Sequence, residues 1–116
     1  MNNRIPYMDK KTMIQRELIK CATASPMEFP TYGAFGPRVG IPTRGPWKRI
    51  LDHIAEEETA QGRPDITFLL VIKKTGYPGQ IGFEAAKPPS AAQRAKAKLE
   101  VQKIIAEYNP TATNPF

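Results

Sequence analysis

The chain has 116 residues, 17 Lys+Arg against 11 Asp+Glu (a net charge of +6), one Cys, one His, one Trp and 12 Pro. That length fits one domain with a small core, and the basic excess favours an anionic partner. A single Cys excludes an internal disulfide, no Cys/His cluster provides a zinc site, and the apolar run Phe68–Ile72 is far short of the ~20 residues of a membrane span, so with no apolar signal core the chain reads as cytoplasmic, with no membrane partner.

Residues 1–8, with Pro6 and two Asn, read as a flexible arm, and residues 9–108 as one domain. Asp9 is the expected N-cap of a first helix through about Ala24, whose apolar positions Ile14, Leu18, Cys21 and Ala22 follow the spacing of one helical face. Cys21 lies on that stripe, which makes it a core side chain rather than a nucleophile. Pro26 and Pro30 force an extended connection. Thr31 then caps a short second helix carrying Tyr32, Phe35 and Val39 on one side, with Gly36-Pro37 interrupting it and a tight turn at Gly40–Thr43. Pro46 suits the first turn of a third helix, where Trp47, Ile50, Leu51 and Ile54 repeat at helical spacing until Gly62 and Pro64 end it.

Ile66 to Lys73 is β-rich and continuous enough for a buried strand. Turn residues fill Lys74–Gly79, and Gln80–Phe83 is expected to return as a second strand, giving a β-hairpin with a basic tip. After Pro88-Pro89, Ser90 caps a long helix from Ala91 to about Tyr108, apolar at Val101, Ile104, Ile105 and Tyr108. Residues 109–116 read as a loose tail. The expected fold is α+β and winged-helix-like: three N-terminal helices, a β-hairpin and a long C-terminal helix.

Two likenesses rest on these residues. Thr31-Tyr32-Gly33, Gly40 and Arg44-Gly45 stand in the order found in alkyltransferase-like DNA-binding proteins, which the stretch Thr31–Phe83 resembles. That resemblance implies a winged-helix domain on duplex DNA. It implies no alkyl transfer, because the Pro-Cys-His-Arg tetrapeptide of the alkyltransferase site is absent and Cys21 and His53 lie far apart. The block from Gly62 to Phe83, with Thr75-Gly76 and Pro78-Gly79, is also similar to small uncharacterised bacterial proteins.

The charge is uneven: residues 1–50 carry +6, residues 51–75 carry −2 and residues 76–116 carry +2. The expected nucleic-acid contacts are Arg38, Arg44, Lys48 and Arg49 around the turn and third helix, with Lys73, Lys74 and Tyr77 at the hairpin tip. Arg suits bidentate recognition of guanine and Lys neutralises phosphate as a point charge; the same side chains also serve as ordinary solvated faces. Glu56-Glu57-Glu58 reads as a solvated helix end, since consecutive carboxylates on a helix diverge. Lys73-Lys74 with Gly76 and Gly79 lacks the order of a phosphate loop. No catalytic constellation, metal site or cofactor site emerges. The expectation is a non-catalytic protein that binds double-stranded DNA; the alternative is a protein–protein interaction or inhibitor module on the winged-helix scaffold, with the C-terminal helix as partner or dimer surface, since one fold hosts many functions.

Overall fold

Each helical periodicity in the sequence becomes a helix in the computed structural model, which describes residues 7–82 and 88–116. Helix α1 spans Lys11–Thr23, α2 Tyr32–Val39, α3 Trp47–Ala60 and α4 Ala91–Tyr108. The stripes Ile14/Leu18/Cys21/Ala22, Ile50/Leu51/Ile54 and Val101/Ile104/Ile105 all bury into one core. Asp9 does not cap α1. It sits in a 3₁₀ turn, Met8–Lys10, and the N-cap position falls to Lys10 without a side-chain bond.

Local chemistry sets the ends of α2 and α4. Thr31 Oγ1 accepts the Ala34 N–H at 3.1 Å, and Pro37 survives inside α2 at the expense of one intrahelical N–H bond. Gly36 is required there. A Cβ at this position would run into the Ile41 carbonyl, and the Ile41 N–H donates to the Gly36 carbonyl at 3.0 Å. Gly40, at φ 74°, takes the left-handed turn that ends the helix. Ser90 and Gln93 form a reciprocal capping box at the start of α4. Pro46 is the residue before α3 rather than its first residue.

The winged-helix expectation is overturned. Among the described residues there is no strand and no sheet, only two isolated bridges, Thr31 with Val71 (parallel) and Val71 with Pro78 (antiparallel). Ile66–Leu69, expected as a strand, winds into a 3₁₀ turn that is buried at every position and packs against α1, α3 and α4. The physical reason lies at Asp65. Its carboxylate accepts from both the N–H and the hydroxyl of Thr67, which bends the chain at the point where a strand would begin. An apolar run of this length is equally satisfied by burial among helices, so periodicity alone does not distinguish the two.

The backbone groups of this segment are paired without a ladder. Val71 N–H donates to the Pro30 carbonyl at 3.0 Å, Ile72 N–H to Tyr77 at 2.9 Å and Gly79 N–H to Leu70 at 3.2 Å. The return segment is also not a strand, since Gly79–Ile81 is a 3₁₀ turn; Phe83 lies outside the described residues. The connection from α2 to α3 covers residues 40–46, longer than the ~3–4-residue turn of a helix-turn-helix.

Residues 109–116 lie against the body. Asn109 Nδ2 donates to the Ala22 and Ala24 carbonyls at 3.1 and 2.8 Å, Asn114 Nδ2 donates to the Lys98 carbonyl at 2.9 Å, and the Phe116 ring meets Phe29 edge-on at 5.6 Å.

Candidate functional site

The parallel bridge between Thr31 and Val71 fixes the start of α2 beside the loop that follows Val71, and a groove opens between them. Its cavity volume is about 660 Å³, within the ~300–1,000 Å³ typical of ligand sites. Tyr32 and Trp47 form one wall, with their rings edge to face at 5.4 Å. The Trp47 indole N–H donates to the carbonyls of Pro42 and Thr43, both at 3.1 Å, which ties the ring to the α2–α3 connection. Ile72 and Gly79 also line the groove. Gly79 has no room for a side chain, because a Cβ would meet the Tyr32 hydroxyl. Burial pushes that phenol up to about 12, so it is neutral at neutral pH.

Three lysines also line this apolar groove: Lys48 from the first turn of α3, and Lys73 and Lys74 from the loop. The loop is closed by Gly76 N–H and Thr75 N–H, which donate to the Ile72 carbonyl at 2.7 and 3.2 Å, and by Gly76 at φ 73°. Lys48 pairs with Asp52 one turn along α3 at 3.3 Å, an exposed contact worth only about 0.3–0.5 kcal/mol. Gln80, also on the groove, donates to Asp52 at 3.4 Å and to the hydroxyl of the fully buried Thr67 at 3.2 Å. Thr67 in turn donates to Asp65. Burial raises the Asp65 carboxyl above its ordinary 3.8, and the two Thr67 donors offset part of that rise.

No protein-family model, curated protein or solved structure matches the chain. The reading of the site therefore rests on its geometry.

Of the residues expected to contact nucleic acid, Lys48, Lys73 and Lys74 meet at the groove. Arg44 is exposed next to Thr43, a groove residue, and Arg49 is exposed next to Lys48. Arg38 is placed elsewhere. It bridges Glu17 at 3.1 Å and Glu28 at 3.4 Å and covers the Phe35 ring, 5.4 Å from its centroid. Tyr77 packs against Phe116, with ring centroids 5.2 Å apart and planes tilted by 38°, rather than presenting a free ring.

The remaining candidates have structural roles or are solvated. Cys21 is buried, and burial raises its thiol above the usual value. His53 is exposed on α3. The three glutamates diverge as a helix demands, but they are not simply a solvated end: Glu56 is exposed, Glu57 pairs with Lys11, and Glu58 is buried against Arg63 and Gln15. Among the described residues no three His, Cys, Asp or Glu side chains cluster as metal ligands, and no helix is long and apolar enough to cross a membrane. The α4 stripe Val101, Ile104 and Ile105, a candidate partner surface in the sequence, is spent on the core.

Tyr32 and Gln80 are among the groove residues that the sequence does not mark as part of a site. Tyr32 carried the signal of a core aromatic. Gln80 carried none, because its value comes from bonds to Asp52 and Thr67, far away in sequence.

Proposed function

We propose that the protein is a non-catalytic DNA-binding protein that meets the phosphates of double-stranded DNA with the rim of this groove and the exposed start of α3. The observation that carries the reading is the convergence of Lys48 with Lys73 and Lys74, contributed by two segments distant in the chain, on one opening. Converging cations raise the local potential more than scattered ones and steer a polyanion to that face. Arg44 and Arg49 are exposed around the start of α3 and add positive charge at this end of the helix. The groove's own side chains supply cations, hydroxyls, an amide and a phenol that stays protonated, which suit binding rather than proton transfer at neutral pH. No wing is involved in this reading. The loop acts through its two lysines alone.

Titration of mixed-sequence duplex DNA with the protein at about 50 and 200 mM salt tests it. Binding at micromolar protein that weakens with salt, and weakens further in Arg44→Ala with Lys48→Ala, is expected. Absence of salt-dependent binding at micromolar protein, or indifference to that double substitution, contradicts it.

A further inference from the structure

Phosphate contacts of a duplex use exposed cations and leave the apolar interior of the groove without a role. Yet the interior is built. Its aromatic wall is held by two hydrogen bonds from Trp47, and Gly79 packs directly on the Tyr32 hydroxyl, where a Cβ would collide. Gly33, in the first turn of α2 and also on the groove, leaves the wall without a side chain there, with nothing closer than 3.9 Å to a would-be Cβ. Aromatic side chains favour a ligand with a ring of its own, and an apolar interior rimmed by Lys48, Lys73 and Lys74 selects one that carries negative charge.

We propose that this groove is a binding site for a small planar aromatic anion, an aromatic ring bearing a phosphate or carboxylate. The ring lies against Tyr32 and Trp47, and the anionic head is held by Lys73 and Lys74, with Lys48 released from its weak pairing with Asp52. Neither half of the ligand suffices. A free inorganic anion leaves the apolar walls in contact with water, and a neutral ring leaves the lysines without a counter-charge. The site shares its lysines with the DNA surface proposed above, but its test uses no nucleic acid, so the two readings fail separately.

Trp47 is the sole tryptophan and lines the groove, so its fluorescence reports occupancy directly. The probes are phenyl phosphate, inorganic phosphate and benzyl alcohol, each titrated into the full chain. Phenyl phosphate is expected to change Trp47 emission saturably with a dissociation constant of about 1 mM or tighter. Inorganic phosphate, which loses the buried ring, and benzyl alcohol, which loses the charge-assisted contact, are each expected to bind at least about tenfold more weakly. Lys73→Ala with Lys74→Ala should weaken phenyl phosphate by about tenfold or more on the same basis. Gly33→Leu places a side chain in the open space beside Thr31 and Thr43 and should abolish the response while helical circular dichroism is retained. The proposal is overturned by the absence of a saturable response to phenyl phosphate, by equal affinity for inorganic phosphate or benzyl alcohol, or by unchanged binding in a folded Gly33→Leu variant.

Discussion

Gly33 and Gly36 occupy the same short helix under opposite demands. Gly33 has room for a Cβ at ordinary contact distance from Thr31 and Thr43, whereas a Cβ at Gly36 meets the Ile41 carbonyl, a backbone atom unable to rotate away. Gly33→Ala should therefore stabilise the fold by about 0.5–1 kcal/mol through helix propensity. Gly36→Ala should cost about 1–3 kcal/mol through overpacking. Urea midpoints at constant slope separate the two; equal effects contradict the packing of α2 on its following turn.

Carboxylates at the same scale predict how stability follows pH. The hydrogen bond from Lys20 and then that from Arg38 hold Glu17 below its ordinary 4.5, and Lys11 does the same for Glu57. Their folded pKa values are lowered, so their contribution is present above pH 4.5 and is lost as pH falls through the folded values. Asp65 runs the other way. Its pKa is raised by burial, so the stability associated with its protonated form is full below 3.8 and declines as pH rises through the folded value. Asp65→Asn removes that ionisation while keeping an acceptor for Thr67. Relative to the parent, this variant should gain stability as the pH is raised from acid to neutral in urea titrations; a relative loss means that the Thr67 bonds to the charged form outweigh burial.

Among the elements, α4 shows how one helix divides its labour. Its N-terminus is held by the Ser90–Gln93 box, with Gln93 Nε2 also donating to the Gly82 carbonyl at 2.6 Å. Ile104 is fully buried while Leu99 is 58% exposed. Ile104→Ala should cost about 2–5 kcal/mol, Leu99→Ala within about 0.5 kcal/mol, and Ser90→Ala about 1 kcal/mol in chemical unfolding. A large effect at Leu99 contradicts the assigned face. These helices were legible because a stripe at helical spacing and a capping residue are local signals, and the stripes of α1, α3 and α4 all reach the core. The hairpin was misread for the opposite reason. Whether Ile66–Val71 extends or winds depends on Asp65 bending the chain at Thr67 and on three helices packing against Ile66–Leu69, neither of which is written in the run itself. The same holds for the groove. Its lysines were visible in the sequence as charges, but their meeting with Tyr32 and Trp47 depends on the bridge between Thr31 and Val71.

Across the whole molecule, the Cα radius of gyration of 13.7 Å is close to the ~13.4 Å expected of a compact chain of this length. Compaction is what turns an uneven charge into a surface. Of the basic residues in the first half, Arg38 and Lys20 are tied to Glu17 and Lys11 to Glu57, so they compensate acidic groups rather than add to a basic face. Lys48 stands at the groove with two lysines from a segment whose net charge is negative. Net charge by sequence segment therefore located the surface poorly; the groove is made by contact between segments of opposite balance. The most direct measurement is the dependence of duplex DNA affinity on salt in Lys73→Ala with Lys74→Ala, compared with Lys20→Ala with Lys103→Ala, whose lysines each pair within their own helix. The groove pair should lower the slope of log affinity against log salt by about 2 and the control pair should leave it unchanged, since each lost phosphate contact removes ~0.9. Equal slopes in both variants, or no binding by the parent protein, contradict the assignment of this groove as the DNA-contacting face.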